Sequence, residues 1–203
     1  MEMKYTPKRI VFNKNFRAID EFVFSFIPYL EKAHIKFVLI SGYVVLFFGR
    51  DRSTEDVDLF VEDLSYERFL SFWKIVSEEF ECLNTRNPPH AYENFKNGIA
   101  LRFHKKGAFI PNIEFKPLKT ILDRYSLENR IEVECNGRII YISDLELQVA
   151  FKLELGSDKD KEDARFLYKL FKEHLNKSLL KEMLEKLHVS SSKFENAMGE
   201  KLE

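Results

Sequence analysis

Asp56 and Asp58 stand two residues apart in the run EDVDLFVE, with Val57 and Leu59 alternating with them. Asp is depleted in strands because its short polar side chain competes with ladder hydrogen bonds, so two within one strand ask for a reason. In strand geometry both carboxylates fall on one face, roughly 7 Å apart. They can then bend toward a shared pair of divalent cations, which lie about 3.5–4 Å apart in two-metal sites. Mg2+ takes hard oxygen ligands and commonly binds through a few carboxylates plus substrate phosphates, so the pair points to phosphate chemistry. A half-buried strand with an acidic outer face is the plainer alternative.

A phosphate cradle should lie nearby, and Ser41-Gly42 offers one. The pair sits where the apolar run KFVLIS ends and GYVVLFFG begins. Free backbone N–H groups at a strand-to-helix turn attract anions, and a glycine lets phosphates approach the backbone closely. A plain turn accounts for the same two residues when they are taken alone.

The elements that must position these residues follow from periodicity. Residues 15–33 repeat apolar side chains at helical spacing, and KFVLIS has the composition of a buried strand. GYVVLFFG is too apolar for solvent and reads as a short buried helix bracketed by Gly42 and Gly49. EDVDLFVE alternates as a strand, and SYERFLSFWKIVSEEF repeats as a helix. GIALRFH and NIEFKP read as further strands, and IEVECNGRIIYIS carries Asn136-Gly137, a strong hairpin signal. From Ser143 onward the pattern is helical. Ser143 and Glu146 form a capping-box pattern, two amphipathic segments follow, and residues 191–203 read as a polar tail. The expected fold class is α+β, a mixed sheet flanked by helices over residues 1–143, with a helical unit over 144–203 packed on it.

Composition narrows the function classes. The 203 residues are 45% hydrophobic and 14% aromatic, enough to bury a core of one medium domain or one with a small appendage. Thirty-two basic and thirty-three acidic residues give a net charge of -1, so no global field draws the protein to nucleic acid or an anionic membrane. Arg50, Arg52, Lys105 and Lys106 are too few to form a nucleic-acid patch. No apolar run approaches the roughly 18 residues of a membrane span and the start lacks a signal-peptide core, so a cytoplasmic location is expected. Cys82 and Cys135 lack metal or disulfide spacing, and the five histidines show no paired pattern. Trp73, among Phe69, Leu70 and Phe72, belongs to core packing rather than base stacking.

The order turn, short helix, acidic strand resembles the nucleotidyltransferase fold superfamily, and most closely its AbiEii-like, minimal-nucleotidyltransferase-type branch, which includes toxin components. That branch reads roughly Gly-Gly-x-Ala, a later Gly, then Arg-x-Thr-x-Asp-Ile-Asp-Leu. Here the corresponding residues are Ser41-Gly42-Tyr43-Val44, Gly49, then Arg52-Ser53-Thr54-Glu55-Asp56-Val57-Asp58-Leu59. The first Gly is Ser and the Ala is the bulkier Val44. The likeness covers residues 37–62.

The resemblance implies transfer of a nucleoside monophosphate from an NTP to an acceptor hydroxyl, with two Mg2+ held by Asp56, Asp58 and a third carboxylate on a neighbouring strand. Glu114 in NIEFKP is the candidate, with Ile113 and Phe115 facing the core; an exposed strand acid is the other reading. The branch also carries a helical lysine followed by a basic-Asp-x-x-Asp stretch, matched by Lys152 and by Lys159-Asp160-Lys161-Glu162-Asp163. Lys152 would hold triphosphate charge and Asp163 orient it, unless the stretch is a solvated charge cluster. Arg52 and Thr54 either contact phosphates or cap the strand. The implied partners are the NTP, an acceptor that is a tRNA end, a protein or a small molecule, and a cognate antitoxin. The alternative is a non-catalytic nucleotide-binding or antitoxin-like protein of the same fold.

Overall fold

The computed structural model describes residues 3–202. Met1, Glu2 and Glu203, at the ends of the two expected units, lie outside the described residues. The chain runs β1 (Met3–Thr6), β2 (Arg9–Phe12), α1 (Ala18–Lys32), β3 (Phe37–Leu39), α2 (Ser41–Phe47), β4 (Asp56–Val61), α3 (Tyr66–Val76) and β5 (Phe80–Cys82). It continues α4 (Pro88–Lys96), β6 (Leu101–Lys105), β7 (Asn112–Pro117), α5 (Ile121–Glu128), β8 (Ile131–Cys135) and β9 (Arg138–Ile142). It ends α6 (Leu145–Leu155), α7 (Asp158–Phe171), α8 (Lys177–Lys186) and α9 (Ser191–Met198).

Among the described residues the strands form one mixed sheet of nine, in the order β1-β2-β8-β9-β3-β4-β7-β6-β5. The acidic strand β4 lies inside it, antiparallel to β3 and parallel to β7. Its alternation is that of a half-buried strand: Val57, Leu59 and Val61 are buried, Asp56, Asp58 and Phe60 only partly. β7 follows the same rhythm, with Ile113 and Phe115 buried and Glu114 and Lys116 on the other face. Phe115 stacks on Phe72 of α3 at 5.1 Å between ring centroids and packs on Phe103 of β6. Aromatic pairs of this kind contribute about 0.5–1.5 kcal/mol beyond their area. A one-residue slip of β7 would bury Glu114 and Lys116, so this packing fixes which way they face.

Short helix α2 is held from behind by a buried acid. Asp20 of α1 is fully buried; it accepts from Tyr43 Oη at 3.0 Å and pairs with Lys14 at 2.8 Å. Its carboxylate also caps the helix by accepting from the Arg17 backbone N–H at 2.8 Å. In the β8–β9 hairpin, Asn136 and Gly137 take φ of 50° and 75°, the left-handed pair that a two-residue turn of this hand requires. Trp73 packs against Phe69 and Phe103 in the core.

Several expectations need correction. α2 begins at Ser41 and takes in Gly42 rather than starting after it. The cap of α6 is Asp144, whose Oδ1 accepts from Leu147 N–H at 2.9 Å, while Glu146 instead accepts from the Asn176 N–H at 2.6 Å. Residues 191–198 are not a polar tail but α9, because Phe194, Ala197 and Met198 form a buried stripe at helical spacing. Strands β1, β2 and β5 and helices α4 and α5 are too short or too polar to stand out by periodicity.

Asp144 is buried, and burial pushes its carboxyl from 3.8 up to about 6, with Glu146 adding to the shift and the Leu147 N–H opposing it. A raised carboxyl value means that the folded protein holds its proton longer than the unfolded chain does. Stability is therefore lost as pH climbs from about 4 to about 6, and the penalty persists above that window. Asn caps as well as Asp and carries no charge. Asp144→Asn is expected to match the wild type in urea unfolding at pH 4 and to exceed it at pH 7.5 by on the order of 2 kcal/mol. An equal difference at both pH values would contradict the burial argument.

Candidate active site

The turn and the acids meet through the β3–β4 ladder. Leu39 pairs with Leu59, and the Ile40 N–H donates to the Asp58 carbonyl at 3.0 Å, so Ser41 begins beside Asp58. Ser41 takes φ 63°, a left-handed conformation that costs a residue with a Cβ roughly 1–2 kcal/mol and glycine little. A serine therefore stands where the resembling pattern has a glycine, at the expense of strain. A Cβ at Gly42 would lie 2.9 Å from the Arg52 Nη2, so a larger residue there would have to displace that guanidinium. The Arg52 guanidinium thus lies directly against the turn.

Arg52 is itself clamped from the C-terminal helices. Asp163 of α7 is fully buried and pairs with Arg50, with Arg52 and, at 2.7 Å, with Lys152 of α6. Glu162 also pairs with Arg50, and Asp160 lies 3.8 Å from Lys152. Lys152 is 2% exposed. Burial lowers its value to about 8; Arg52 and Arg50 lower it further, while Asp160 and Asp58 oppose them. The charge of Asp58 also acts on Arg52, whose own value burial lowers. The clamp, the turn and the acidic strand therefore form one electrostatic unit.

The acids lie side by side across two parallel strands, Asp56 opposite Asn112 and Asp58 opposite Glu114. Asp56 Oδ1 accepts from Asn112 Nδ2 at 2.7 Å. Lys116 Nζ lies 2.5 Å from Asp58 Oδ1 and 2.8 Å from Glu114 Oε2. Arg102 of β6 reaches Glu114 Oε1 through Nη2 at 2.7 Å and Nε at 2.9 Å. Burial raises the Asp58 carboxyl and the Glu114 charge raises it further, against Lys116. Burial would raise Glu114 too, but Lys116, Asp58 and Arg102 together outweigh it and hold it low. Among the described residues, no group of three or more His, Cys, Asp or Glu is arranged to hold a metal ion.

The sequence-derived residues divide accordingly. Ser41, Gly42, Arg52, Lys152 and Asp163 lie in one connected cluster, with Asp58 at its edge and Asp56 and Glu114 beside it. Thr54 serves the strand, its Oγ1 donating to the Asp56 carbonyl at 2.9 Å. Periodicity did not mark Lys116, Asn112, Arg102 and Arg50 as site residues. Lys116 and Asn112 share the outer alternation of NIEFKP with Glu114, a signal that becomes specific only once the β4 register is known. A cavity of about 520 Å3 opens on the Glu114 side, lined in part by Phe60, Arg102, Glu114, Lys116, Lys119 and Asp123.

No family model and no curated protein matches the chain. Among solved structures it is similar to an antigenic nucleotidyltransferase-like protein from Paracoccidioides brasiliensis, at 16% identity and TM-score 0.56, covering 91% of this chain and 94% of that one. It is also similar to ANT(2″)-Ia in complex with adenylyl-2″-tobramycin, at 10% identity and TM-score 0.54, covering 85% and 98%. The solution structure of the same antibiotic-resistance factor matches at 9% identity and TM-score 0.51, covering 87% and 94%. The architecture is therefore a nucleotidyltransferase-like fold, a mixed α/β sheet flanked by helices.

Removing the buried carboxylate of the clamp takes from Arg52 its ion-pair partner and leaves Arg50 and Lys152 with only the more exposed Glu162 and Asp160. Asp163→Asn is expected to cost about 3–5 kcal/mol, read as a lowered thermal midpoint. A loss below about 1 kcal/mol would place these pairs among ordinary surface ion pairs instead.

Proposed function

We propose that the protein transfers a nucleoside monophosphate from an NTP to an acceptor hydroxyl. The acceptor oxygen forms a bond to the α-phosphorus, the bond to the β,γ-pyrophosphate breaks, and the hydroxyl proton passes to a base or to water. The observation that carries this reading is the juxtaposition of Asp56 and Asp58 with the Ser41-Gly42 turn, against which the Arg52 guanidinium rests. The nucleotidyltransferase-like fold supports it.

In this reading the chain works mainly by positioning and charge. Ser41, Gly42 and Arg52 hold the triphosphate, Lys152 supplies further positive charge, and Asp163 orients both cations. Thr54 keeps the start of β4 in line with the turn. The acceptor lies in the cavity beside Glu114. Mg2+, when bound, would neutralise charge developing on the transferring phosphoryl group. Asp56 and Asp58 fit such an ion as hard oxygen donors, Asp56 engaged through Oδ1 by the neutral Asn112 amide and Asp58 through Oδ1 alone by Lys116. Glu114 fits less well as a third ligand, because Lys116 and Arg102 engage both of its oxygens.

The order from Arg52 to Asp58 and the paired Lys152 and Asp163 support a place in the AbiEii-like branch, with a cognate antitoxin as partner and the cytoplasm as the site of action. No helix among the described residues is long and apolar enough to cross a membrane. The engagement of Glu114 by two cations favours the second reading, a nucleotide-binding protein without turnover.

Thermal shift with each of the four NTPs and Mg2+ tests the first reading. A nucleotide at a hundred times its dissociation constant should stabilise the protein by about 2.7 kcal/mol. The paired change Asp56→Asn with Asp58→Asn is expected to abolish both that Mg2+-dependent shift and label transfer from an α-labelled NTP to tRNA, protein or small alcohols. Transfer that survives the double change would contradict the assignment. Mg2+-dependent binding without pyrophosphate release would favour the second reading.

A further inference from the structure

We propose that Lys116 is a resident cation on the Glu114 side of the acid cluster, so that the chain takes up one divalent ion with its nucleotide and not two. This rests on the nucleotidyl-transfer reading and sharpens its metal requirement. In the parallel register Asp58 stands directly opposite Glu114, and Lys116 follows Glu114 by two residues on the same face. Its ammonium folds back over the acids, 2.5 Å from Asp58 Oδ1 and 2.8 Å from Glu114 Oε2. The ammonium therefore fills the space between the facing carboxylates of Asp58 and Glu114.

Charge leads to the same conclusion. Asp56, Asp58 and Glu114 bring three negative charges, and Lys116 and Arg102 return two positive ones. With both Glu114 oxygens engaged, a second divalent ion would meet two cations at close range and find no uncommitted ligand on that acid. Asp56 differs, because its Oδ1 partner is the neutral amide of Asn112. One hydrated ion at Asp56 and Asp58, completed by nucleotide phosphates, matches the way Mg2+ binds where protein ligands are few. An ammonium is a compact point charge, able to stand in for an ion's electrostatic role without its coordination geometry.

The test counts ions directly, using the full chain, Mn2+ and an α,β-methylene NTP analogue, with bound Mn2+ read by electron paramagnetic resonance. The wild type is expected to retain about one Mn2+ per chain, Lys116→Arg about one, and Lys116→Met about two. Two ions on the wild type would overturn the inference while leaving the nucleotidyl-transfer reading intact. A folded Lys116→Met that stays at one would overturn it as well, since the lysine would not be what excludes the second ion. No nucleotide-dependent Mn2+ on any variant would overturn both. If Lys116→Met does not fold, the wild-type and Lys116→Arg counts decide.

Discussion

Everything at the candidate site depends on one buried carboxylate shared among three cations. Asp163 lies with no exposed surface and takes Arg50, Arg52 and Lys152 at once. Burying charges is costly, and such clusters persist only where each charge is compensated. The geometric consequence is long-range: residues 50–55 have no regular secondary structure of their own, yet they lead into Asp56. Asp163 ties that segment to α6 and α7, and through Arg52 it brings a guanidinium onto Gly42. The helices that follow the sheet in sequence thereby set the shape of a turn and a strand more than a hundred residues earlier.

A second constraint acts across the sheet. β4 and β7 run parallel in a register that sets Asp58 against Glu114, and aromatic packing of Phe115 on the opposite face keeps it there. The cluster is thus prepared as a mixture of charges rather than as three bare acids. Lys116 and Arg102 offset much of the negative field before any ligand arrives. The positive groups at the turn, Arg50, Arg52 and Lys152, are in turn offset by Asp163, Glu162 and Asp160. Both halves are close to neutral, so the site can hold an anionic triphosphate and a cation without carrying a large uncompensated charge when empty.

Much of this was legible in the residues and some was not. NIEFKP spans β7 to the residue, and EDVDLFVE contains β4, because alternating burial leaves a period that sequence displays. The Asn136-Gly137 hairpin was equally plain, since few residue pairs tolerate left-handed backbone. Residues 191–198 were hidden by their polar majority; three buried positions make a helix but little average hydrophobicity. Asp58 and Glu114 could be nominated separately, but their pairing across parallel strands depends on register, which no local pattern encodes. For the same reason nothing local marks Lys116 within the very run that supplies Glu114, and Arg50 reads only as part of a sparse basic patch.

The central claim is that the Ser41-Gly42 turn, the Arg52 guanidinium and the Asp56–Asp58 face form one nucleotide site. Crystals grown with Mn2+ and a non-hydrolysable NTP, measured at a wavelength where manganese scatters anomalously, test it most directly. The expected result is triphosphate density against Ser41, Gly42 and Arg52, with an anomalous peak between it and the carboxylates of Asp56 and Asp58. Nucleotide bound elsewhere, or a peak remote from both acids, would contradict the account.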